Sequence, residues 1–198
     1  MIGVISLEIG VLADICLRMI IREDSGHCII VDKMLYQKIM LYSLVTGIWI
    51  ERILVHWNWY GQLACGVLAS YLLVASIQDI QSREVYDFLH VTALPAGLVF
   101  VVTEPSDEKL ISLVVFVAVQ MGIFMRMYGA GDGLAFLVCA VFESRFGRGM
   151  LMYLLHMGTA YILLGIVQGF KHNINKRGNL RKPVPFLPYI TVSVWLFL

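Results

Sequence analysis

The sequence predicts an all-α, polytopic integral membrane helix bundle of about seven or eight transmembrane helices, and three observations carry that expectation. The residues are 59% hydrophobic and only 15% charged, where a soluble domain carries about 25% charge. The mean hydropathy is +0.79. The polar residues gather in short clusters between apolar runs of helical length. A span takes roughly 20 residues, so a chain of 198 residues has room for little besides crossings. One membrane domain over residues 1–198 is expected, with 1–59 as a variable N-terminal part and 60–198 as the part that carries the chemistry.

Each element has its own reason. Residues 1–20 are apolar apart from Glu8, Asp14 and Arg18, and the last two stand four apart, where they pair on one helix face. Such a segment is a poor span or a good interfacial helix. Ile21 to Lys38 is polar and reads as an aqueous loop or short surface helix, and Ile39 to Val55 is the next apolar run. The His56-Trp57-Asn58-Trp59-Tyr60 cluster marks a membrane boundary, because tryptophan and tyrosine favour the headgroup level. Tyr60 to Ile77 is almost uniformly apolar, with Gly66, Ala69 and Ser70 letting helices approach closely, and it ends at Asp79. A short polar stretch, Ile80 to Asp87, leads into Phe88 to Val102, where Pro95 predicts a kink. Thr103 to Lys109 is an acidic turn, and Leu110 to Met125 crosses back to Arg126 and Gly129-Ala130-Gly131-Asp132. A run through Phe142, a loop from Glu143 to Gly149, a full span from Met150 to Phe170, a basic loop and a last apolar segment from Pro183 complete the chain.

Orientation follows from Lys171, Lys176, Arg177, Arg181 and Lys182, which fall in one short loop and place it in the cytoplasm. Alternating crossings backwards puts Asp132 and Asp79 on that same face. The net charge of +1 gives no reason to expect nucleic acid as a partner. The four cysteines include no Cys-x-x-Cys pair, so no zinc or thioredoxin-like site is indicated, and no metal or organic cofactor is implied. The N-terminus lacks a basic n-region and a small-residue cleavage site, so no removable signal peptide is expected.

The chemistry-bearing residues are the two carboxylates. An ionisable group at membrane depth is costly and is read as functional. Asp79 and Asp132 stand 53 residues apart, enough for two crossings and a turn. Two carboxylates on one face, with a water between them, are the working parts of an aspartyl protease. Gly129 and Gly131 permit a tight turn and close approach beside Asp132. If Asp132 opens a helix, that helix's dipole favours its charge, whereas Asp79 at a helix end feels the opposite partial charge. On that reasoning Asp79 carries the shared proton and Asp132 is the ionised base. Asp87 is a candidate third acid, with a helix N-cap or surface role as the plainer reading. His90 and His156 are expected to make hydrogen bonds between helices.

Three motifs in order, Asp79-Ile80-Gln81-Ser82-Arg83-Glu84-Val85-Tyr86-Asp87, Gly129-Ala130-Gly131-Asp132 and Pro185-Phe186-Leu187-Pro188, resemble the type IV prepilin peptidases. These are membrane aspartyl proteases of the Gly-x-Gly-Asp class, and the resemblance covers about Tyr60 to Leu198. It implies that Asp79 and Asp132 are the catalytic pair, with Gly129, Gly131, Asp87, Pro185, Phe186 and Pro188 shaping the site or meeting substrate. It further implies a multi-pass protein of the inner or plasma membrane, its active site facing the cytoplasm, that cuts the short basic leader from a prepilin or pseudopilin partner. Two positions depart from the family pattern, Tyr86 where proline is usual and Leu134 where lysine is common. Larger members carry an insert with two Cys-x-x-Cys pairs, associated with methyl transfer. The corresponding segment here, Ile21 to Lys38, holds one cysteine, so a peptidase without methyltransferase activity is expected. Other functions fit the same acids: an intramembrane protease of presenilin-like chemistry, a non-catalytic membrane component of a pilus or secretion system, or a small transporter using the acids for ions or protons.

Overall fold

The computed structural model describes residues 2–23, 33–53, 59–103, 106–122, 129–145, 150–174 and 184–197. Among them the regular structure is entirely helical: α1 (Ile2–Glu23), α2 (Lys33–Ile53), α3 (Trp59–Ser82), α4 (Asp87–Thr103), α5 (Asp107–Gly122), α6 (Ala130–Arg145), α7 (Met150–Ile174) and α8 (Leu187–Phe197). The all-α expectation therefore holds. Two stretches, Trp59–Ser82 and Leu151–Phe170, are long and apolar enough to cross a membrane, while α4 and α8 are shorter apolar helices.

Helix α3 is the hub, packed against α1, α2, α4, α6 and α8. Its sequence explains this position. Small residues at Gly61, Ala64, Gly66, Ala69, Ser70, Ala75 and Ser76 are all buried and keep the helix thin, so neighbours approach its backbone. At Gly66 the neighbour is Glu8 of α1, whose carboxyl carbon would stand 2.7 Å from any added Cβ. On α1, Ile9, Ala13, Leu17 and Ile20 are buried while Leu7, Val11, Ile15 and Met19 face outward. A helix apolar on both faces needs an apolar medium on the outside as well as a core on the inside. Asp14 and Arg18 pair at 2.7 Å, as their spacing predicts.

The second layer is built from α4, α5, α6 and α7. Gly97 of α4 lies against Val141 and Phe142 of α6, and Phe142 also meets Phe100, with ring centroids 6.0 Å apart. Phe116 of α5 and Tyr153 of α7 meet edge to face at 4.9 Å. Pro95 lies inside α4 without ending it.

Several boundaries differ from the sequence reading. The run expected to end at Phe142 continues to Arg145, and Glu143, expected in a loop, is buried in α6 at 4% exposure. Its carboxylate has a partner there, His156 of α7, which offsets the cost of burial. The polar stretch Ile21 to Lys38 is partly helical, since α1 runs to Glu23 and α2 begins at Lys33. Likewise α3 runs past Asp79 to Ser82, and α7 continues to Ile174. The basic residues that set orientation, the His56 to Asn58 part of the aromatic cluster, Glu104, Pro105 and Arg126 fall outside the described side chains.

Candidate active site

Asp79 lies three residues before the end of α3 and is only 8% exposed. Just beyond that end, Arg83 takes a left-handed backbone with φ of 65°, and its amide donates to the Asp79 carbonyl at 3.2 Å. This is the geometry with which helices commonly stop. It leaves the Asp79 side chain inside the bundle and Arg83 exposed, close enough for the guanidinium charge to act on the carboxylate.

The start of α8 closes over Asp79. The Leu187 amide donates to Asp79 Oδ2 at 2.8 Å, and the Phe186 amide is directed at the same carboxylate. The first amides of a helix have no partner within it, so its N-terminus is a natural seat for an anion. Proline on both sides suits this turn: Pro185 precedes the helix and Pro188 occupies its first turn, where no amide hydrogen is needed. Phe186 is buried between Phe136 of α6, at 5.8 Å, and Tyr161 of α7, at 4.8 Å between ring centroids. The Ser76 and Thr191 hydroxyls, 2.8 Å apart, tie α3 to α8 as well.

Asp132 is the third residue of α6, half-buried, in the turn closed by the Gly133 amide donating to the Gly129 carbonyl at 3.1 Å. Its charge and that of Asp79 act on one another, and it also acts on Tyr71, two turns before Asp79 on α3. Thus the structure brings together the two acids that the sequence singles out, from α3 and α6. The fully buried Gln120 of α5 pins the Asp132 turn by donating from Nε2 to the Gly133 carbonyl at 3.1 Å.

Neither Gly129 nor Gly131 adopts the left-handed region, and a Cβ on Gly131 would meet nothing within 4 Å among the described residues. One on Gly129 would reach only ordinary contact, 3.8 Å from Asp132 Oδ2. Among the described residues, the glycines thus leave the side of the turn next to the carboxylate uncrowded. Asp87 stands exposed as the first residue of α4, where its charge acts on His90.

Tyr86 earns its place through its backbone. Its amide donates to Gln78 Oε1 at 3.4 Å, a bond that a proline at this position has no hydrogen to make. Its carbonyl accepts from the Leu89 amide at 3.0 Å and starts α4. Leu134 is half-buried, the fifth residue of α6. Both histidines bond between helices: His90 Nδ1 lies 2.8 Å from the Tyr71 hydroxyl, and His156 lies between α6 and α8. Gln120, Tyr71 and the amides of Phe186 and Leu187 were not marked by the sequence. A lone glutamine in an apolar run was the available signal for the first; backbone amides leave none.

A family model for the type IV leader peptidase family matches residues 66–167. The chain belongs to the type IV leader peptidase family. No curated protein and no solved structure matches the chain. Membership makes the protein a membrane peptidase of leader sequences, with prepilin-type proteins as its substrate class. The matched stretch includes Asp79, Tyr86, Asp87 and Gly129 to Asp132. Pro185 to Pro188 lie beyond it and reach the site through α8.

Proposed function

We propose that this leader peptidase is an aspartic endopeptidase in which Asp79 and Asp132, with one water, remove the short leader of a prepilin-like protein at the cytoplasmic membrane face. The observation that carries the reading is that the buried Asp79 of α3 is held by the first amides of α8, with Asp132 at the start of α6 within reach of its charge. Burial favours the neutral form of Asp79, and against it the α8 amides and the Arg83 charge favour the ionised form. With the α8 amide on its carboxylate, Asp79 is read as the ionised base and Asp132, which feels the Asp79 charge, as the bearer of the shared proton, the reverse of what each acid's own helix implies. The base takes a proton from the water as it attacks the scissile carbonyl, and the protonated Asp132 donates to the carbonyl oxygen. The roles exchange as the leaving amine is protonated.

Placement supports leader cleavage over cutting within a span. Asp79 is one turn from the end of α3, and Asp132 is in the first turn of α6. Both therefore stand near the border where a short leader meets an apolar helix. The two helices long and apolar enough to cross a membrane, α3 and the Leu151–Phe170 part of α7, and the outward apolar faces support a multi-pass protein acting as one unit. The absence of paired Cys-x-x-Cys motifs supports a peptidase without methyl transfer.

The test is co-expression with a prepilin-like protein from the same source, following the leader by gel shift and N-terminal sequencing. Cleavage by the parent and by neither Asp79→Asn nor Asp132→Asn is the expected result. Retained cleavage in either variant overturns the two-acid mechanism. A folded parent that cuts no prepilin would favour the non-catalytic reading.

A further inference from the structure

We propose that Glu143 and His156, outside the site itself, form a buried clamp that sets the position of the α8 amides on Asp79. The inference rests on the reading of Asp79 as the catalytic base. His156 Nδ1 lies 2.9 Å from Glu143 Oε1, and the two side chains are 3% and 6% exposed. On the other side of the ring, Nε2 faces the Ile190 carbonyl at 3.3 Å. Both ring nitrogens thus face oxygen, one of a carboxyl and one of a carbonyl. A carbonyl only accepts, so Nε2 must carry hydrogen. The Nδ1 contact then needs one proton between imidazole and carboxyl, whichever of the two holds it. The pair is neutral with that proton in place, which suits a buried site. Cys139 and Tyr153 are the other titratable groups on which the Glu143 charge acts.

What this pair holds is the first turn of α8. The Ile190 amide donates to the Phe186 carbonyl at 3.3 Å, and the Tyr189 amide to the same oxygen at 3.0 Å. One turn of backbone therefore joins the atom that His156 grips to the amides directed at Asp79. The His156 ring also meets Phe136 edge to face at 5.6 Å, and Phe136 meets Phe186. Releasing the clamp frees the turn to shift, and the Leu187 amide loses its alignment with Oδ2. The bond favours the charged form of Asp79, so without it the acid gains its proton more easily. His156 and Glu143 are positioning residues, and their signature is a change in pH dependence.

The experiment measures kcat and KM against pH for leader cleavage in membranes, normalised to folded protein, for the parent, Asp79→Asn, His156→Phe and Glu143→Asp. Parent activity with none in Asp79→Asn keeps the underlying reading; its failure there is separate from failure of the clamp. In His156→Phe, which keeps a ring against Phe136, kcat falls about tenfold with KM little changed. The acid limb of the profile moves up by about half a pH unit or more. Glu143→Asp is mild enough to test the same point where His156→Phe does not accumulate: it shortens the bridge by one methylene and moves the limb in the same direction by less. A limb that stays in place in the variants that accumulate overturns the clamp, even if the amount of folded protein drops.

Discussion

Leu187→Pro removes the amide hydrogen that Asp79 Oδ2 accepts at 2.8 Å, at a position where proline is otherwise tolerated. Leu187 opens α8, and Phe186 before it is not helical, so neither the ring nor its effect on the preceding residue breaks the helix. A hydrogen bond to a charged group contributes about 1.5–3 kcal/mol, and a tenfold change in a protonation equilibrium corresponds to about 1.4 kcal/mol. The bond favours the ionised form of Asp79, so its loss makes protonation easier. Activity that needs the ionised base is then lost at higher pH as the medium is acidified. The acid limb of the kcat/KM profile is expected to rise by about one to two pH units. Leu187 is also a buried side chain at 1% exposure, so Leu187→Ala is the necessary companion: it removes the side chain and keeps the amide. Leu187→Ala costs about 2–3 kcal/mol of stability and leaves the limb near the parent's. The assay is cleavage of a purified prepilin substrate in detergent or liposomes across pH 4–9. Coincident limbs for Leu187→Pro and Leu187→Ala refute the claim that this amide tunes Asp79.

Asp132→Asn and Asp79→Asn each lower leader cleavage by at least about a hundredfold, the lower end of what acid or base catalysis contributes, read as loss of the processed band. The parent shows two ionisation limbs, because two carboxylates acting on each other's charge titrate as a pair; a single limb refutes the shared proton. Gln120→Leu removes the bond to the Gly133 carbonyl and lowers kcat about two- to tenfold through a loosened Asp132 turn, measured on folded enzyme. Gly97→Ala puts a methyl 2.8 Å from Val141 Cγ1 and 2.9 Å from Phe142 Cε2, both in the packed α4–α6 seam. It costs about 1–3 kcal/mol and lowers the melting midpoint in detergent. Gly66→Ala meets only the far end of the flexible Glu8 side chain and costs less.

The apolar composition, the order of the motifs and the two acids were legible in the sequence because each rests on residue type and spacing alone. So was the Asp14–Arg18 pair, which four-residue spacing brings together. The end of α6 was misread because Glu143 looks like a loop residue until its partner, 13 residues on in another helix, is known. For the glycines beside Asp132, the sequence says that a Cβ is missing, and only the fold says what stands near its place: among the described residues, Asp132 Oδ2 at 3.8 Å for Gly129 and nothing within 4 Å for Gly131.

The proposed order of protonation departs from the sequence reading for a deeper reason. From the sequence, each acid can be weighed only against the dipole of the helix that carries it, which places charge on Asp132 and the proton on Asp79. Inside a bundle, a carboxylate responds to every helix end that meets it, and the decisive one here begins 108 residues after Asp79. A direct amide at 2.8 Å outweighs the distributed partial charge of α3, because the unpaired groups at a helix end act within about one turn. The start of α8 is in turn fixed by Phe186 between Phe136 and Tyr161, and by Ile190 against His156. In the proposed mechanism the difference between two chemically identical side chains is thus set by α6, α7 and α8 together. It is lost as soon as the start of α8 moves by about the length of one hydrogen bond, even with both aspartates in place.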